Sequence, residues 1–120
     1  MARYADGFLL VVPRRKLDAY RKISQKAGKV WKEYGAVEYI ECIGDDLKVK
    51  MGLPFTKVGK AKPGEAIVFS WILYKSRADR DRINRKVMKD PRLATMMDPK
   101  SMPFDMKRMA YGGFRVIVDL

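Results

Sequence analysis

The chain has 120 residues, of which 48% are hydrophobic and 33% are charged, and 26 Lys and Arg against 14 Asp and Glu give a net charge of +12. This composition excludes a disordered chain, and the length suits one folded domain. The sequence contains no histidine, which excludes Ser-His and Cys-His nucleophile pairs, the usual zinc sites and His-ligated haem.

The first predicted element is a strand over residues 3–13, RYADGFLLVVP, which is rich in β-favouring residues. We interpret it as a strand and not as a signal peptide, because Asp6 precedes a short apolar run and no small-residue cleavage site follows. A helix is predicted over residues 14–35, where apolar residues recur at intervals of three and four. Gly35 suits its C-terminus, and Gly28 inside it is expected to weaken the helix by about 1 kcal/mol relative to alanine.

A second strand is predicted over residues 36–44, a long loop with several glycines and prolines over 45–65, and a third strand over 66–75. The longest apolar run, residues 66–74, is far shorter than the ~20 residues of a membrane helix. Cys42 is the only cysteine, so no intrachain disulfide can form. We interpret it as a buried small hydrophobic residue, and we expect a cytoplasmic protein with no membrane association.

The second half of the chain predicts one long helix, a short one and a final strand. Ser76 and Asp79 are spaced as in a capping box, and the helix that they begin runs to about Lys89. Asp90 and Pro91 are typical of the first positions of another short helical turn. A Pro-containing loop is predicted over residues 98–106 and the last strand over residues 107–120.

The element order is strand, helix, strand, strand, helix, strand. This order predicts an α+β, ferredoxin-like βαββαβ fold, in which an antiparallel sheet carries both helices on one face. We find no linker or internal repeat, so residues 1–120 are expected to form a single domain.

The third predicted strand is apolar on both sides. A strand in an antiparallel sheet with one solvent-exposed face should instead alternate apolar and polar residues. Ile67, Phe69, Trp71 and Leu73 line one side, and Val68, Ser70, Ile72 and Tyr74 line the other. The helices can cover only one face, and an exposed apolar face normally marks an interface. We therefore expect a homodimer. The alternative is that the 45–65 loop folds over the second face.

Several stretches carry a likeness to a known family: DGF (6–8), DAYRK (18–22), GAVEYIECIGDD (35–46), VFSWILYKSRADRD (68–81), DPR (90–92) and MPFDMKRMAYGGF (102–114). On these residues the chain resembles the YbaA-like family, small bacterial proteins of unknown function grouped with the dimeric α/β-barrel, ferredoxin-like superfamily. The resemblance implies the fold and a dimer that forms a dimeric α/β barrel. It implies no particular activity.

Asp6, Glu41 and Ser70 are polar residues within otherwise apolar strands. Buried carboxylates are costly unless they are paired, so each needs a partner or a raised pKa. If two of them face one cavity, Asp6 and Glu41 could form a catalytic acid/base pair, with Ser70 beside the ligand. The alternative is a structural Arg or backbone partner for each carboxylate.

The segment before the last strand supplies the other candidate ligand-binding residues. Arg108 could clamp a ligand carboxylate or phosphate, and Asp105 lies three residues before it. The alternative is a structural ion pair of Arg108 with Asp105 or Asp90. Gly112 and Gly113 permit a bulge or a close approach of another group to the backbone.

Aromatic residues in the predicted strands could line a pocket for a flat organic ligand. Trp71 and Tyr111 are the candidates for contact, together with Tyr39 and Tyr74. The alternative is that these aromatic residues are ordinary core.

We therefore expect a homodimeric protein that binds a small anionic organic molecule, with cofactor-free acid/base chemistry and no metal. The alternative is a basic nucleic-acid-associated, RNA-binding protein, because lysines and arginines recur on both predicted helices. Those basic residues are Lys22, Lys26, Lys29 and Lys32 on the first helix and Arg82, Arg85, Lys86 and Lys89 on the second.

Overall fold

The computed structural model describes residues 1–96, 98, 100 and 102–120. The chain forms β1 (Tyr4–Pro13), α1 (Leu17–Glu33), β2 (Glu38–Ile43), α2 (Phe55–Val58), β3 (Glu65–Tyr74), α3 (Arg77–Lys89), α4 (Pro91–Met96) and β4 (Ala110–Arg115). Short 3₁₀ turns lie at Arg14–Lys16 and Met106–Arg108. Residues 99 and 101 of the predicted 98–106 loop lie outside the described residues.

The four strands form one antiparallel sheet in the order β2-β3-β1-β4. Helices α1, α3 and α4 pack on the face that carries Ile72 and Tyr74, through buried residues such as Val30, Ile83 and Leu93. This arrangement confirms the predicted α+β, ferredoxin-like fold with both long helices on one face.

The close approach of α1 to the edge of the sheet depends on Gly28. A Cβ atom at this position would lie 2.6 Å from the ring of Tyr39 on β2, well inside van der Waals contact. The glycine that weakens the isolated helix is therefore the residue that lets the helix pack on its strand.

The predicted helix starts at Ser76 and Asp90, which begin α3 and α4, are confirmed. The Ser76 side chain accepts a hydrogen bond from the backbone N–H of Asp79 at 3.1 Å. At the start of α4, the Asp90 carboxylate accepts from the backbone N–H of Arg92 at 2.9 Å. Both caps satisfy amides that have no partner within the helix.

The predicted last strand, residues 107–120, is too long. Strand β4 spans only Ala110–Arg115, because the chain before it turns in a 3₁₀ helix. The backbone N–H of Val116 donates to the carbonyl of Arg3, and the Arg3 guanidinium pairs with Asp119 at 2.7 Å. These contacts hold the C-terminal residues beside the start of β1.

Cys42 is exposed, so the expectation of a buried cysteine is wrong. Strand β2 lies at the edge of the sheet. Cys42 is paired with Phe69 in the register, which places it on the sheet face opposite the helices.

The second sheet face is covered over only part of its area. Residues 45–65 pack Leu47 and Ala61 against Leu9, Val11 and Ile67, so the alternative in which this segment covers the face is realised in part. The remainder is an exposed group of apolar residues that we call the open sheet patch. It consists of the exposed residues Ile40, Phe55, Phe69 and Phe114 and of the half-buried Trp71 beside them; Phe69 is 45% and Phe114 is 62% exposed.

Candidate functional site

A cavity of about 210 Å³ lies between the helix-bearing face of the sheet and α1, α3 and residues 102–109. We call it the inner cavity, and we call residues 102–109 the strap. The wall is mostly apolar, and its flexible part consists of Met88, Met96, Met102, Met106 and Met109. Unbranched, polarisable methionine side chains adapt to ligands of different shape.

The register of the sheet brings predicted site residues to the inner cavity. Glu41 is paired with Ser70, Ser70 with Phe8, and Phe8 with Tyr111, so these four residues form one row across the sheet. Asp6 lies two residues before Phe8 on β1 and so faces the same side. All five contribute to the wall of the cavity.

The Asp6 carboxylate is almost completely buried. Its Oδ2 atom accepts a hydrogen bond from Asn84 Nδ2 at 3.3 Å and lies 3.2 Å from the Tyr74 hydroxyl. Its Oδ1 atom has no hydrogen-bond partner among the described residues. Burial, followed by the Asp6 charge, raises the pKa of Tyr74 and, to a smaller extent, that of Tyr111. Both hydroxyl groups therefore remain protonated beside this carboxylate at neutral pH.

Arg80 is the cation beside Asp6, and the sequence analysis missed it. Its Nε atom lies 3.6 Å from Asp6 Oδ1. Its guanidinium stacks over the Tyr4 ring at 4.8 Å and donates to the Tyr4 hydroxyl at 3.1 Å. The available signal was helical spacing, because residue 80 precedes the inward-facing Ile83 and Asn84 by three and four positions.

Of the two glycines of β4, Gly113 serves close packing. The pairing of β4 with β1 is uninterrupted, so the predicted alternative of a bulge is wrong. A Cβ atom at Gly113 would collide with the Tyr4 hydroxyl and would lie 2.7 Å from both the Tyr4 ring and Arg80 Nη2, whereas one at Gly112 would make only ordinary contact with the Phe114 ring, at 3.6 Å. Gly113 thus leaves the space that the Tyr4 side chain and the Arg80 guanidinium occupy.

Glu41 is surrounded by hydroxyl groups that donate to it. The Tyr20 hydroxyl lies 2.7 Å from both carboxylate oxygens, and the Ser24 hydroxyl donates to Oε2. Ser24 is in turn hydrogen-bonded to the Tyr39 hydroxyl at 2.9 Å. Burial raises the pKa of Tyr39 to about 12, and burial with the nearby Glu41 charge raises that of Tyr20 further. The partner of Glu41 is therefore this set of hydroxyls and not an arginine.

The two cavity carboxylates do not touch. Strand spacing and the offset of one row place the Cα atoms of Asp6 and Glu41 about 12 Å apart. Tyr20, Ser24, Tyr39 and Glu41 also line a broad groove of about 1100 Å³ on the outside of the molecule. These four residues, three with hydroxyl groups and one with a carboxylate, therefore line both the inner cavity and the outer groove.

Trp71 lies mainly on the other side of the sheet. It pairs with Gly7 and Ile40, whose positions face away from the helices. Its indole N–H donates to Glu38 at 3.1 Å, and its ring lies 5.9 Å from that of Phe69. Trp71 therefore contributes its ring to the open sheet patch, although it forms part of the cavity wall.

Arg108 and Asp105 fix the strap to the rest of the fold. Arg108 forms two hydrogen bonds of 2.7 Å with Glu65 and one of 2.8 Å with Asp105. It also donates to the carbonyl of Lys60. The structural ion pair with Asp105 is present, whereas Asp90 pairs with Arg92 instead. Neither Arg108 nor Asp105 is part of the cavity wall.

The Arg108–Glu65 pair predicts an acid-sensitive contribution to stability. The Arg108 hydrogen bonds, followed by the backbone N–H of Lys62, lower the pKa of Glu65 from 4.5 to about 2. The contribution is therefore complete above pH 4.5 and is lost as the pH falls towards 2. We expect Arg108→Met to lower the urea unfolding midpoint at pH 7 and to differ much less from the unmodified protein at pH 2.5. Arg85→Met, which removes an exposed charge, is the control; a difference that does not change with pH would contradict this assignment.

Two kinds of feature are absent from the described ranges 1–96, 98, 100 and 102–120. No three Cys, Asp or Glu side chains there are grouped so that they could hold a metal ion. No helix in these ranges is both long enough and apolar enough to cross a bilayer.

Comparison with known proteins gives a family and a fold. A family described as "Protein of unknown function (DUF1428)" matches residues 3–106. The chain is 45% identical over 117 residues to the uncharacterized protein YbaA of Escherichia coli strain K12, and the alignment covers 98% of each of the two chains. The match to YbaA of Shigella flexneri has the same identity and coverage.

Three solved structures share the fold at low sequence identity. SnoaB of Streptomyces nogalater, a cofactor-independent oxygenase, has a TM-score of 0.62 at 9% identity, over 100% of this chain and 98% of that one. A structure described as a "Putative antibiotic biosynthesis monooxygenase" of Nitrosomonas europaea has a TM-score of 0.61 at 11% identity, over 97% of this chain and 91% of that one. A dimeric ferredoxin-like protein from an uncultured marine organism has a TM-score of 0.60 at 12% identity, over 100% of both chains. At these identities the likeness concerns the fold alone.

Proposed function

This chain belongs to the DUF1428 family of proteins of unknown function, and we propose that it is a ligand-binding protein. In this proposal the protein is a homodimer, and each subunit holds a small, largely apolar organic molecule in the inner cavity. We place it in the cytoplasm, where the exposed thiol of Cys42 would stay reduced.

The observation that carries this proposal is the inner cavity itself. Its volume is about 210 Å³, and an apolar cavity of roughly 150 Å³ is enough to bind benzene. The space therefore suits a molecule with one or two rings. A mostly apolar wall with a few polar groups is the usual composition of a small-molecule site.

The charged groups at the cavity favour a ligand that donates hydrogen bonds. Asp6 and Glu41 line the wall, and carboxylates accept hydrogen bonds and repel anions. Arg108, which suggested an anionic ligand, is occupied by Glu65 and Asp105 outside the cavity. We therefore propose a neutral ligand in place of a small anion.

The two carboxylates differ in their capacity for acid/base chemistry. Glu41 accepts from Tyr20 and Ser24, so its lone pairs are largely occupied. Asp6 Oδ1 accepts no hydrogen bond from the described residues, although it is ion-paired with Arg80 at 3.6 Å. We propose that Asp6 receives a labile proton from the ligand without a cofactor. The fold shared with a cofactor-independent oxygenase supports this proposal by analogy alone.

The open sheet patch supports the homodimer. Several large apolar side chains on a central sheet face are exposed in one subunit, and patches of this kind normally mark an interface. A two-fold arrangement in which two sheets face each other would bury the patch of each subunit against that of the other. The dimeric ferredoxin-like protein of the same fold supports this arrangement.

The nucleic-acid alternative receives no comparable support. The basic side chains of α1 are exposed, but two of them, Arg21 and Lys22, pair with Asp18 at 2.8 and 3.4 Å. None of the relatives and structures named above is described as a nucleic-acid-binding protein. A solvated helix face is sufficient to explain these charges.

Filling the cavity tests the binding function. Ser70 is buried in the row that faces the cavity, so Ser70→Leu is expected to occupy part of the space. We expect naphthalene and 2-naphthol to bind the unmodified protein in titration calorimetry and to bind Ser70→Leu at least tenfold more weakly. Thr95→Leu, on the exposed side of α4, is the matched control and should bind both probes normally. Failure of both probes to bind the unmodified protein would refute the proposal.

A further inference from the structure

We propose that the hydroxyl group of Ser70 is the polar anchor of the inner cavity, and that the ligand is a neutral ring compound whose carbonyl oxygen accepts a hydrogen bond from it. This inference rests on the proposed binding function and adds one acceptor group to the neutral ligand proposed there.

Ser70 carries a buried hydroxyl group that has no partner within the protein. The residue is 6% exposed, and none of the described residues forms a hydrogen bond with its side chain. Unlike Asp6 Oδ1, the Ser70 oxygen is not closed off from a group the size of water. Buried hydroxyl groups without partners are rare and costly in folded proteins. The Ser70 hydroxyl therefore indicates a polar group of a ligand in the cavity.

The sheet directs this hydroxyl group into the inner cavity. Ser70 lies on the interior strand β3 and is paired with Phe8 on β1 and with Glu41 on β2, and all three residues line the cavity. The strands on both sides fix the Ser70 backbone, so only the side chain has to rotate when a ligand arrives. The anchor is therefore largely preorganised for binding.

The other hydrogen-bond donors of the described cavity wall are bonded within the protein or are half exposed. The Glu41 carboxylate beside Ser70 accepts from Tyr20 and Ser24 and not from Ser70. The wall donors that have a partner in the protein are Tyr20, Ser24, Trp31, Tyr39, Trp71 and Asn84. Tyr111, the remaining hydroxyl of the wall, is 51% exposed and can bond to solvent. Along the described part of the wall, Ser70 thus supplies the one buried donor group without a partner.

A single free donor among several acceptors selects the polar group of the ligand. A carbonyl oxygen accepts a hydrogen bond and brings no hydrogen that needs a further acceptor. A carboxylate would also accept, but Asp6 and Glu41 on the same wall would repel its negative charge. An ammonium group has no lone pair with which to accept. A neutral carbonyl group therefore matches Ser70.

The side chains next to Ser70 favour a ring as the body that carries the carbonyl group. Phe8, which is paired with Ser70 across the sheet, stacks on Tyr111 with the ring centroids 4.9 Å apart. Phe104 and Met109 of the strap also line the cavity. A flat body can contact these aromatic and adaptable side chains while its carbonyl oxygen lies at Ser70. The volume of about 210 Å³ suits a ketone with two fused rings.

The decisive experiment compares two probes of nearly the same shape. 1-Indanone carries the carbonyl group, whereas 1-methyleneindane carries a CH₂ group in place of the oxygen. The carbonyl preference is the dissociation constant of 1-methyleneindane divided by that of 1-indanone, both from titration calorimetry. Ser70→Ala should lower this preference about fivefold or more, because it removes the hydrogen bond. Ser70→Thr keeps a hydroxyl group and should retain the preference, and Thr56→Val, which removes an exposed hydroxyl on α2, should not change it.

The carbonyl stretching band of bound 1-indanone gives a second measurement that does not depend on a variant. A hydrogen bond from Ser70 should place the infrared band of the complex at a lower wavenumber than that of 1-indanone in cyclohexane. In the complex with Ser70→Ala the band should return towards its position in cyclohexane. A cyclohexane-like band in the unmodified protein would refute the anchor, even if Ser70→Ala does not fold.

The remaining outcomes separate the anchor from the binding function. An equal carbonyl preference in the unmodified protein and in Ser70→Ala would refute the anchor but support the cavity as a binding site, as expected if only a water molecule bonds to Ser70. Absence of binding by naphthalene and by both indane probes to the unmodified protein would refute the proposed function and the anchor together.

Discussion

Replacement of Phe69 by aspartate is expected to convert the proposed homodimer into a monomer. Phe69 lies in the middle of the open sheet patch and is 45% exposed in one subunit. A carboxylate buried there would lose its hydration without gaining a partner, and the two-fold symmetry places two copies of it in one interface. We expect the dimer dissociation constant to rise at least ~100-fold, which corresponds to about 3 kcal/mol.

Sedimentation velocity across a range of protein concentrations measures this change directly. Gln25→Asp is the control, because it adds the same charge on the exposed side of α1, away from the open sheet patch. The unmodified protein and this control should sediment as dimers. An unmodified protein that is monomeric at micromolar concentration would show that the open sheet patch is not a self-association surface.

Replacement of Ile83 by alanine is expected to lower the free energy of unfolding by about 3 kcal/mol. Ile83 is 0% exposed and belongs to the core cluster that joins α1, α3 and α4 to the sheet. Truncation of its side chain removes apolar contacts and leaves a void in a closely packed layer. The cost is a large fraction of the stability of a domain of this size.

Urea unfolding at pH 7 measures the loss, and Met88→Ala is the control. Met88 lies on the same helix and is 56% exposed, so its truncation should change the free energy of unfolding by less than about 0.5 kcal/mol. Similar losses in both variants would indicate that α3 does not pack on the sheet as described.

The proposed site belongs to the sheet more than to the loops. Glu41, Ser70 and Tyr111 lie in one row because strand pairing fixes their register. The strap covers the other side of the cavity and is held by Arg108. Arg108 thus contributes by positioning the strap, although the sequence alone suggested a direct ligand contact.

The sequence by itself determined the elements and their order. Apolar residues three and four apart specify α1, β-rich runs specify the strands, and Ser76 and Asp90 mark helix starts, because each of these signals acts between near neighbours. The order of these elements leaves few topologies, and the ferredoxin-like one follows. The polar residues Asp6 and Glu41 within apolar strands also indicated in advance where the sheet would hold carboxylates.

Only the tertiary structure decided which groups meet. Asp6 and Arg80 are 74 positions apart, and Glu65 and Arg108 are 43 apart, so no local pattern could select these partners among 26 cationic residues. The exposure of Cys42 depends on β2 being an edge strand, and the half-covered second face depends on where residues 45–65 pack. Local periodicity specifies the face of a helix or strand on which a side chain lies. The partner of that side chain depends on how distant segments pack together, and the proposed chemistry depends on those long-range contacts.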